Sequence, residues 1–492
     1  MIDLVMITPG TGGEGDKKHP PLGLLYIGSA LQKVGFEVKI HHILPQEIEN
    51  RVIEIAKQSP LFVGFSVLTG LTTFYAAKMS ARIKTENRNI PIVWGGHHPT
   101  FMAEQCLGED FVDVVCMGEG EDTSVELARA LDSGKSLCDI LSVGFKDNGQ
   151  IVINKMRPRI ENIDRLELDW SLLNLEDYAI EGGGFRIIGF CSSRGCPFNC
   201  GFCSSVRFCE RTWRPHSIEY VVSYLTHLKD RYGFNAVFFA DDNFMVRKQR
   251  GYEIIERLKE RGVNVNTLDI RVDMLEAKML DRLSEYGTTG IFFGWESGSD
   301  RLLELMDKGI TVAEILVKAK LLSRYPRISV WGSGIIGLPT ETREEMQQTI
   351  ATAMELFEIL PNATTGLFQY MPLPGTALLP LAVEGGFKVP ARTEDWRVVD
   401  PQWDGYNISW LSWLTEKEAA HIKIIQHISR RYLHKTRTRN RVVRKLNNLF
   451  VSLLRLRIQR QNFKFLIDLY LYRILRSSWQ GLRRLKKRRV SQ

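Results

Sequence analysis

The amino-acid sequence predicts an α/β protein in three parts: a doubly wound parallel sheet, a second run of β/α units, and a basic α-helical C-terminal extension. Three observations predict it. Short apolar runs of strand length alternate with helix-period patterns along residues 1–140 and again along 185–400, the pattern of parallel sheets covered by helices. Glycines and polar residues gather just after those runs, where sheets of this kind bind ligands. The charge is also split. Of 65 Lys and Arg and 57 Asp and Glu, residues 421–492 hold 21 basic residues and one acid, Asp468, so the rest of the chain is acidic, 44 against 56.

The 492 residues suffice for several domains, and 44% hydrophobic with 25% charged residues is ordinary for a folded protein. Eight cysteines, three of them clustered, do not form the framework of a secreted disulfide scaffold, so a reducing cytoplasm is expected. The chain starts on a strand-like run without a basic leader, and no apolar run reaches 18 residues. Neither a signal peptide nor a membrane-spanning helix is expected.

Taken in order, residues 3–8 read as a buried strand, followed by the glycine-rich loop that holds Gly10 and Gly12. Pro20 and Pro21 then open a helix, where proline is tolerated in the first turn. Strand-like runs recur at 37–42, 61–67, 90–94 and 112–117, and helical patterns are clearest at 72–84 and 122–131. The strand ends carry Ser66, then Gly95-Gly96-His97-His98, then Gly118-Glu119-Gly120-Glu121, and the glycines allow a bulky ligand to approach closely. Residues 141–184 form a hairpin and linker: Asn148-Gly149 between apolar runs signals the hairpin, and an irregular charged stretch follows.

At the start of the next part stands CSSRGCPFNCGFC, residues 191–203. Cys196, Cys200 and Cys203 have the spacing C-x3-C-x2-C, and cysteine thiolates on a tight loop are the ligands of iron–sulfur clusters. Three thiolates leave one iron of a 4Fe–4S cluster without a protein ligand, free to bind and reduce a small molecule. The alternative is structural zinc, with Cys191 or Cys209 as a fourth ligand. The spacing, with Phe202 just before the last cysteine, resembles the radical S-adenosylmethionine (SAM) superfamily. That resemblance implies SAM chelated by the open iron, reductive cleavage to a 5′-deoxyadenosyl radical, and an electron donor such as flavodoxin or ferredoxin.

The stretches PPLGLLYIGSAL, WGGHHPT and DVVCMGEGED resemble the Rossmann-like cobalamin-binding domain found in front of many radical SAM enzymes. The resemblance implies cobalamin against Gly10, Gly12, Ser66, Gly95, Gly96, His97, Gly118 and Glu119. The motif Asp-x-His-x-x-Gly is absent, which implies cobalamin held without a lower axial histidine. His97 and His98 are then either cobalt ligands or groups that pack and hydrogen-bond the loop.

Residues 185–400 contain strand patterns at 187–192, 236–240, 264–269, 290–295, 329–336 and 365–370, with helical patterns at 218–232, 248–261, 278–286, 312–324 and 343–360. The resemblance makes these six units a partial (β/α)6 barrel, whose site lies at the carboxyl ends of the strands. Asp241 follows the second strand and either binds SAM or caps a helix. Glu296 and Gly298 follow the fourth, where the family often binds the SAM ribose, and a carboxylate ending a barrel strand is costly unless used. Ile335 and Gly337 follow the fifth, in a stretch that resembles the family's adenine-contacting segment but is out of register by one position; Glu341 there is expected to start the next helix. Arg271 reads as a surface ion pair rather than a partner for a carboxylate of SAM or substrate.

Residues 401–492 form the third part. Trp396, Trp403, Trp410 and Trp413 are either a substrate cap or packing aromatics. Beyond them aliphatics, aromatics and arginines interleave, ending in the polybasic 483–489, which suits an anionic membrane surface better than nucleic acid. A cytoplasmic protein, peripheral on the inner face of the membrane, is expected. The tail and overall layout resemble the anaerobic magnesium-protoporphyrin ester cyclase type and its relatives acting on lipids or tetrapyrroles. They imply hydrogen abstraction from an unactivated carbon and methyl transfer from methylcobalamin to a hydrophobic substrate. The alternatives are oxidative cyclisation without methyl transfer, or a non-catalytic cobalamin or redox sensor.

Overall fold

In the computed structural model, placement is described for residues 1–9, 19–360, 362–400 and 408–416, and singly for 418, 419, 422, 452 and 456. The N-terminal apolar runs form strands β1 (Ile2–Ile7), β2 (Val38–Ile43), β3 (Val63–Ser66), β4 (Ile92–Gly95) and β5 (Val114–Cys116). They pair in parallel in the order β2-β1-β3-β4-β5. Helices Ile48–Gln58 and Leu71–Glu86 cover one face of the sheet; Leu22–Lys33 and Glu121–Ser133 cover the other. Two apolar layers result, and β1, β3, β4 and β5 are buried on both sides, as parallel sheets require, while the edge strand β2 is partly exposed.

The predicted hairpin is β6 (Val143–Asp147) and β7 (Gln150–Ile153). It extends the same sheet antiparallel to β5. Its two turn residues, Asn148 and Gly149, both take positive φ, 48° and 82°, the backbone that a tight hairpin turn needs. The stretch read as an irregular linker ends in β8 (Ile180–Gly182), an antiparallel edge strand of the second sheet.

That second sheet contains six parallel strands in chain order: β9 (Phe185–Phe190), then, past the small ribbon β10 (Ser193–Arg194) and β11 (Arg214–Pro215), β12 (Ala236–Phe239), β13 (Asn264–Asp269), β14 (Gly290–Glu296), β15 (Ser329–Ile336) and β16 (Ala363–Gln369). Sequential order with a helix after each strand is a right-handed β/α walk that curls an open sheet. Val237, Phe239, Ile291, Phe293, Trp295, Val330 and Leu367 pack under the helices. The opposite face carries Phe238, Phe292, Trp331 and Phe368; the Phe292 and Trp331 rings stack 4.9 Å apart, and Phe238 meets Phe292 edge-on at 6.1 Å. His19, just ahead of the first helix, reaches this inner face and lies 5.3 Å from Phe238.

The chain then returns to the first sheet. Trp396 is fully buried, its indole N–H donating to Gln105 Oε1 at 2.8 Å, and Glu109 accepts from Thr393. Trp410 is buried and donates to Tyr370 O at 2.9 Å. These two indoles are packing aromatics, whereas Trp403 lies outside the described residues, as does most of the basic tail. Among the described residues no helix is long and apolar enough to cross a membrane.

Candidate functional site

Two cavities lie side by side where the carboxyl edges of the two sheets face each other. The first, about 410 Å³, starts at Ser66, Gly95, Gly96 and Gly118 and runs past Leu4, Gly64 and Ile27, between the first sheet and the helix Leu22–Lys33. Its far wall is made by the loops after β9 and β12 and by the β10 ribbon: Cys191, Arg194, Gly195 and Ala240. The second, about 310 Å³, opens at the barrel strand ends and is lined by Cys196, Cys200, Phe202, Cys203, Asp269, Glu296 and Lys308. Asp242 lines both.

The cysteine loop is held by backbone contacts. Gly195 has φ +83°, and a Cβ there would come within 2.2 Å of Thr212 O, so the turn into Cys196 requires glycine. Gly201 donates its N–H to Met306 O at 2.8 Å and accepts from Leu378 N at 3.1 Å. Burial raises the Cys196 thiol to about 11 and raises Cys203 as well. Thiols raised in this way keep their protons until a metal replaces them. Cys191 and Cys209, the two conceivable fourth ligands, line the other cavity, and Cys191 donates to Ala240 O at 3.2 Å. The donor set therefore fits a cluster with three protein thiolates better than a closed zinc site.

The barrel-end charges are paired in ways the sequence does not disclose. Lys308 Nζ lies 2.8 Å from Glu296 Oε1, both buried at the second cavity, and sits 5.9 Å above the Phe202 ring. Arg271 is buried beside the cysteines, not at the surface. Its Nη1 donates to Cys200 Sγ at 3.4 Å, and among the described residues its ion pair is with Asp273 at 3.0 Å. Asp241 does not line either cavity; its oxygens accept from Ser192 N, Ser192 Oγ and Ser193 Oγ. Its neighbour Asp242 is the carboxylate that faces both. Asp269 is pushed up to about 7, by burial first and then by the charges of Asp241 and Asp242.

Gly298, Ile335 and Gly337 are absent from the lining of both cavities. A Cβ at Gly298 would come within 2.3 Å of Gln348 O, so this glycine serves the packing of the helix Arg343–Ile359. Glu341 does not start that helix, which Thr342 caps; it accepts from the N–H groups of Gly337 and Leu338.

On the first-cavity side, Gly96 has φ +102° and a Cβ there would meet Val67 O at 2.9 Å, so the turn after β4 is open only to glycine. His97 stacks on Phe208 with centroids 4.1 Å apart, and its Nδ1 is 3.4 Å from Ser204 Oγ; burial lowers it to about 4. His98 is buried against Trp396 and bonds Thr69. Gly10 and Gly12 lie outside the described residues. Glu119 bonds Arg194 at 2.9 Å and Arg214 at 2.8 Å, and Glu121 bonds Arg194 at 2.6 Å. Burial would raise Glu119, but the Arg214 hydrogen bonds and the Arg194 charge lower it to about 2. These two arginines bracket the cysteine loop in sequence, so the four charges lock it to the first sheet. A slot floored by glycines and continued by apolar side chains, whose one histidine among the described lining residues, His97, is engaged with Phe208 and Ser204, fits a corrinoid held without a protein ligand to cobalt.

Comparison with known proteins agrees with this architecture. The B12 binding domain family matches residues 11–128, and the radical SAM superfamily matches residues 190–353. An uncharacterised methyltransferase of Pyrococcus horikoshii is 35% identical over 388 residues, covering 78% of this chain and 82% of the relative. The anaerobic magnesium-protoporphyrin IX monomethyl ester cyclase of Cereibacter sphaeroides is 27% identical, covering 75% of this chain and 61% of the relative. Among solved structures, the radical SAM methyltransferase TsrM from Kitasatospora setae, with cobalamin and a 4Fe–4S cluster bound, superposes with a TM-score of 0.62 at 16% identity, over 82% of each chain. The chain belongs to the radical SAM superfamily, as an enzyme whose barrel follows a B12-binding domain and which works with a 4Fe–4S cluster, SAM and cobalamin.

Proposed function

We propose that this enzyme transfers a methyl group to an unactivated carbon of a hydrophobic substrate. When bound, the cofactors supply one-electron cleavage of SAM and a transferable methyl group. Cys196, Cys200 and Cys203 would hold the cluster, and Phe202, which lines the same cavity, would screen it from water. Lys308 and Glu296 offer opposite charges to the carboxylate and to the ammonium or ribose of SAM. Ser66, Gly95, Gly96 and Gly118 would floor the corrinoid, while His97, stacked on Phe208, packs the loop. The inner-face aromatics Phe238, Phe292, Trp331 and Phe368 give an apolar, flat surface to a substrate, and Phe292 and Trp331 line the same cavity as the cysteines.

The observation that carries the reading is the shared wall: Asp242 borders both cavities, so one substrate carbon within reach of it is near both cofactor sites. The likeness to the cyclase favours a second reading, ring formation without methyl transfer. SAM labelled in its methyl group separates them. Incubated anaerobically with reductant and an organic extract of cells, the enzyme is expected to leave label in an organic-soluble product; an unlabelled product would support cyclisation. Cys200→Ala should abolish 5′-deoxyadenosine formation in the same assay.

The basic segment 421–492 completes the proposal as an anchor for anionic lipid, each Lys or Arg near the surface contributing roughly 1 kcal/mol. Ending the chain just after Ile422, which is itself buried in the core, should abolish sedimentation with phosphatidylserine vesicles at low salt and leave SAM cleavage intact. Unchanged sedimentation would refute the anchor.

A further inference from the structure

We propose that Arg271 is a positioning residue that sets the reduction potential of the cluster through Cys200. This rests on Cys200 being one of the iron ligands. Arg271 stands just past β13, and every edge of its guanidinium is engaged. Nη1 donates to Cys200 Sγ at 3.4 Å, Nη2 donates to the carbonyl of Lys308 at 2.5 Å, and Nε donates to Asp273 Oδ1 at 3.0 Å. Its carbon lies 3.8 Å from the centroid of the Phe198 ring, which belongs to the cysteine loop itself. One side chain thus grips the loop at two points, Phe198 and Cys200, and ties it to the segment whose Lys308 pairs with Glu296 in the same cavity.

The chemistry follows from the charge. A cluster becomes more negative on reduction, so a hydrogen bond from a cation to a ligand sulfur stabilises the reduced form more than the oxidised one and raises the potential. Burial strengthens the effect, because little water competes for the guanidinium or screens it. Asp273 opposes it: this half-exposed carboxylate pairs with the same guanidinium and offsets part of its charge. The position therefore holds two levers of opposite sign within one contact group. A residue serving only to pack Phe198 would need neither a charge nor a hydrogen bond to sulfur, and leucine or methionine would do.

The test uses full-length protein, purified and reconstituted anaerobically, with iron content measured first and the cluster midpoint then taken by EPR-monitored redox titration. Arg271→Met removes donor and charge. At a fixed potential near the wild-type midpoint, the ratio of reduced to oxidised cluster is expected to fall at least tenfold, a shift of about 59 mV to more negative values for a one-electron couple. Arg271→Lys, which keeps the charge but loses the fork and the ring contact, should fall between the two. Asp273→Asn leaves the guanidinium unopposed and should move the midpoint the other way. Opposite shifts in the last two variants, with iron at the wild-type level, support the proposal even if Arg271→Met loads poorly. Midpoints that match wild type in loaded Arg271→Lys and Asp273→Asn would overturn it. A Cys200→Ala variant that takes up iron as well as the wild-type protein would instead overturn the ligand assignment beneath it.

Discussion

Glu296 takes a left-handed backbone with φ +60°, which a side chain with a Cβ rarely adopts, at a break in register between β14 and β15. Its carboxylate points into the second cavity to meet Lys308. Strain of this kind persists where a site needs it. The sequence discloses Glu296, because a carboxylate ending a barrel strand needs a use, but not Lys308, which joins it only once the helix Asp300–Leu305 folds back. The same holds at Arg271, whose two-residue distance from a strand end says nothing about the cysteine loop it grips. Glu341 gives a test by pH. Burial first, and the Glu345 charge in part, raise it to about 8, and among the described residues its buried Oε1 has no partner. A carboxyl raised in the folded state contributes stability that is fully present below the unfolded value of about 4.3 and is lost as pH rises through about 8. Glu341→Gln keeps an acceptor for Gly337 and Leu338 and cannot ionise. Its melting temperature should therefore gain on wild type between pH 6 and pH 9, and parallel pH profiles would contradict the assignment.

Elements were more legible than contacts. Periodicity places β13 and β15 at their observed bounds, and the helix Ile218–Tyr232 likewise, because amphipathic spacing and clear caps agree there: Ser217 accepts from Tyr220 N, and Gly233 closes the helix with φ +75°. The carboxyl-end loops were legible as a ligand-binding edge, since topology alone puts them on one side. Which of their residues face the ligand was not. Asp241 and Asp242 are adjacent, yet one turns toward Ser192 and Ser193 and the other toward the cavities, a choice made by the β10 ribbon. The charged lock between Glu119, Glu121, Arg194 and Arg214 was hidden for a similar reason: its partners lie some 70 to 95 positions apart. Arg194→Met leaves Glu121 buried without its cation. Removing one partner of a buried pair costs about 3–5 kcal/mol. The variant should melt several degrees lower and be cut faster between the two sheets in limited proteolysis; unchanged cleavage would show that the lock is decorative.

For the whole molecule, the decisive feature is how the two sheets meet. Each was predictable alone, from alternating apolar runs. Their facing edges, with two cavities sharing Asp242, depend on long-range contacts: the charged lock at one end and, at the other, the return of Thr393 and Trp396 to Glu109 and Gln105. The arrangement places a three-thiol cavity and a glycine-floored slot next to each other, and the account stands on their holding different cofactors. The most direct measurement is iron, zinc and cobalamin content of the anaerobically purified enzyme beside its Cys200→Ala variant. Roughly four irons and about one cobalamin per chain, with iron lost and cobalamin retained in the variant, is the predicted result. Zinc in place of iron, or cobalamin and iron lost together, would contradict it.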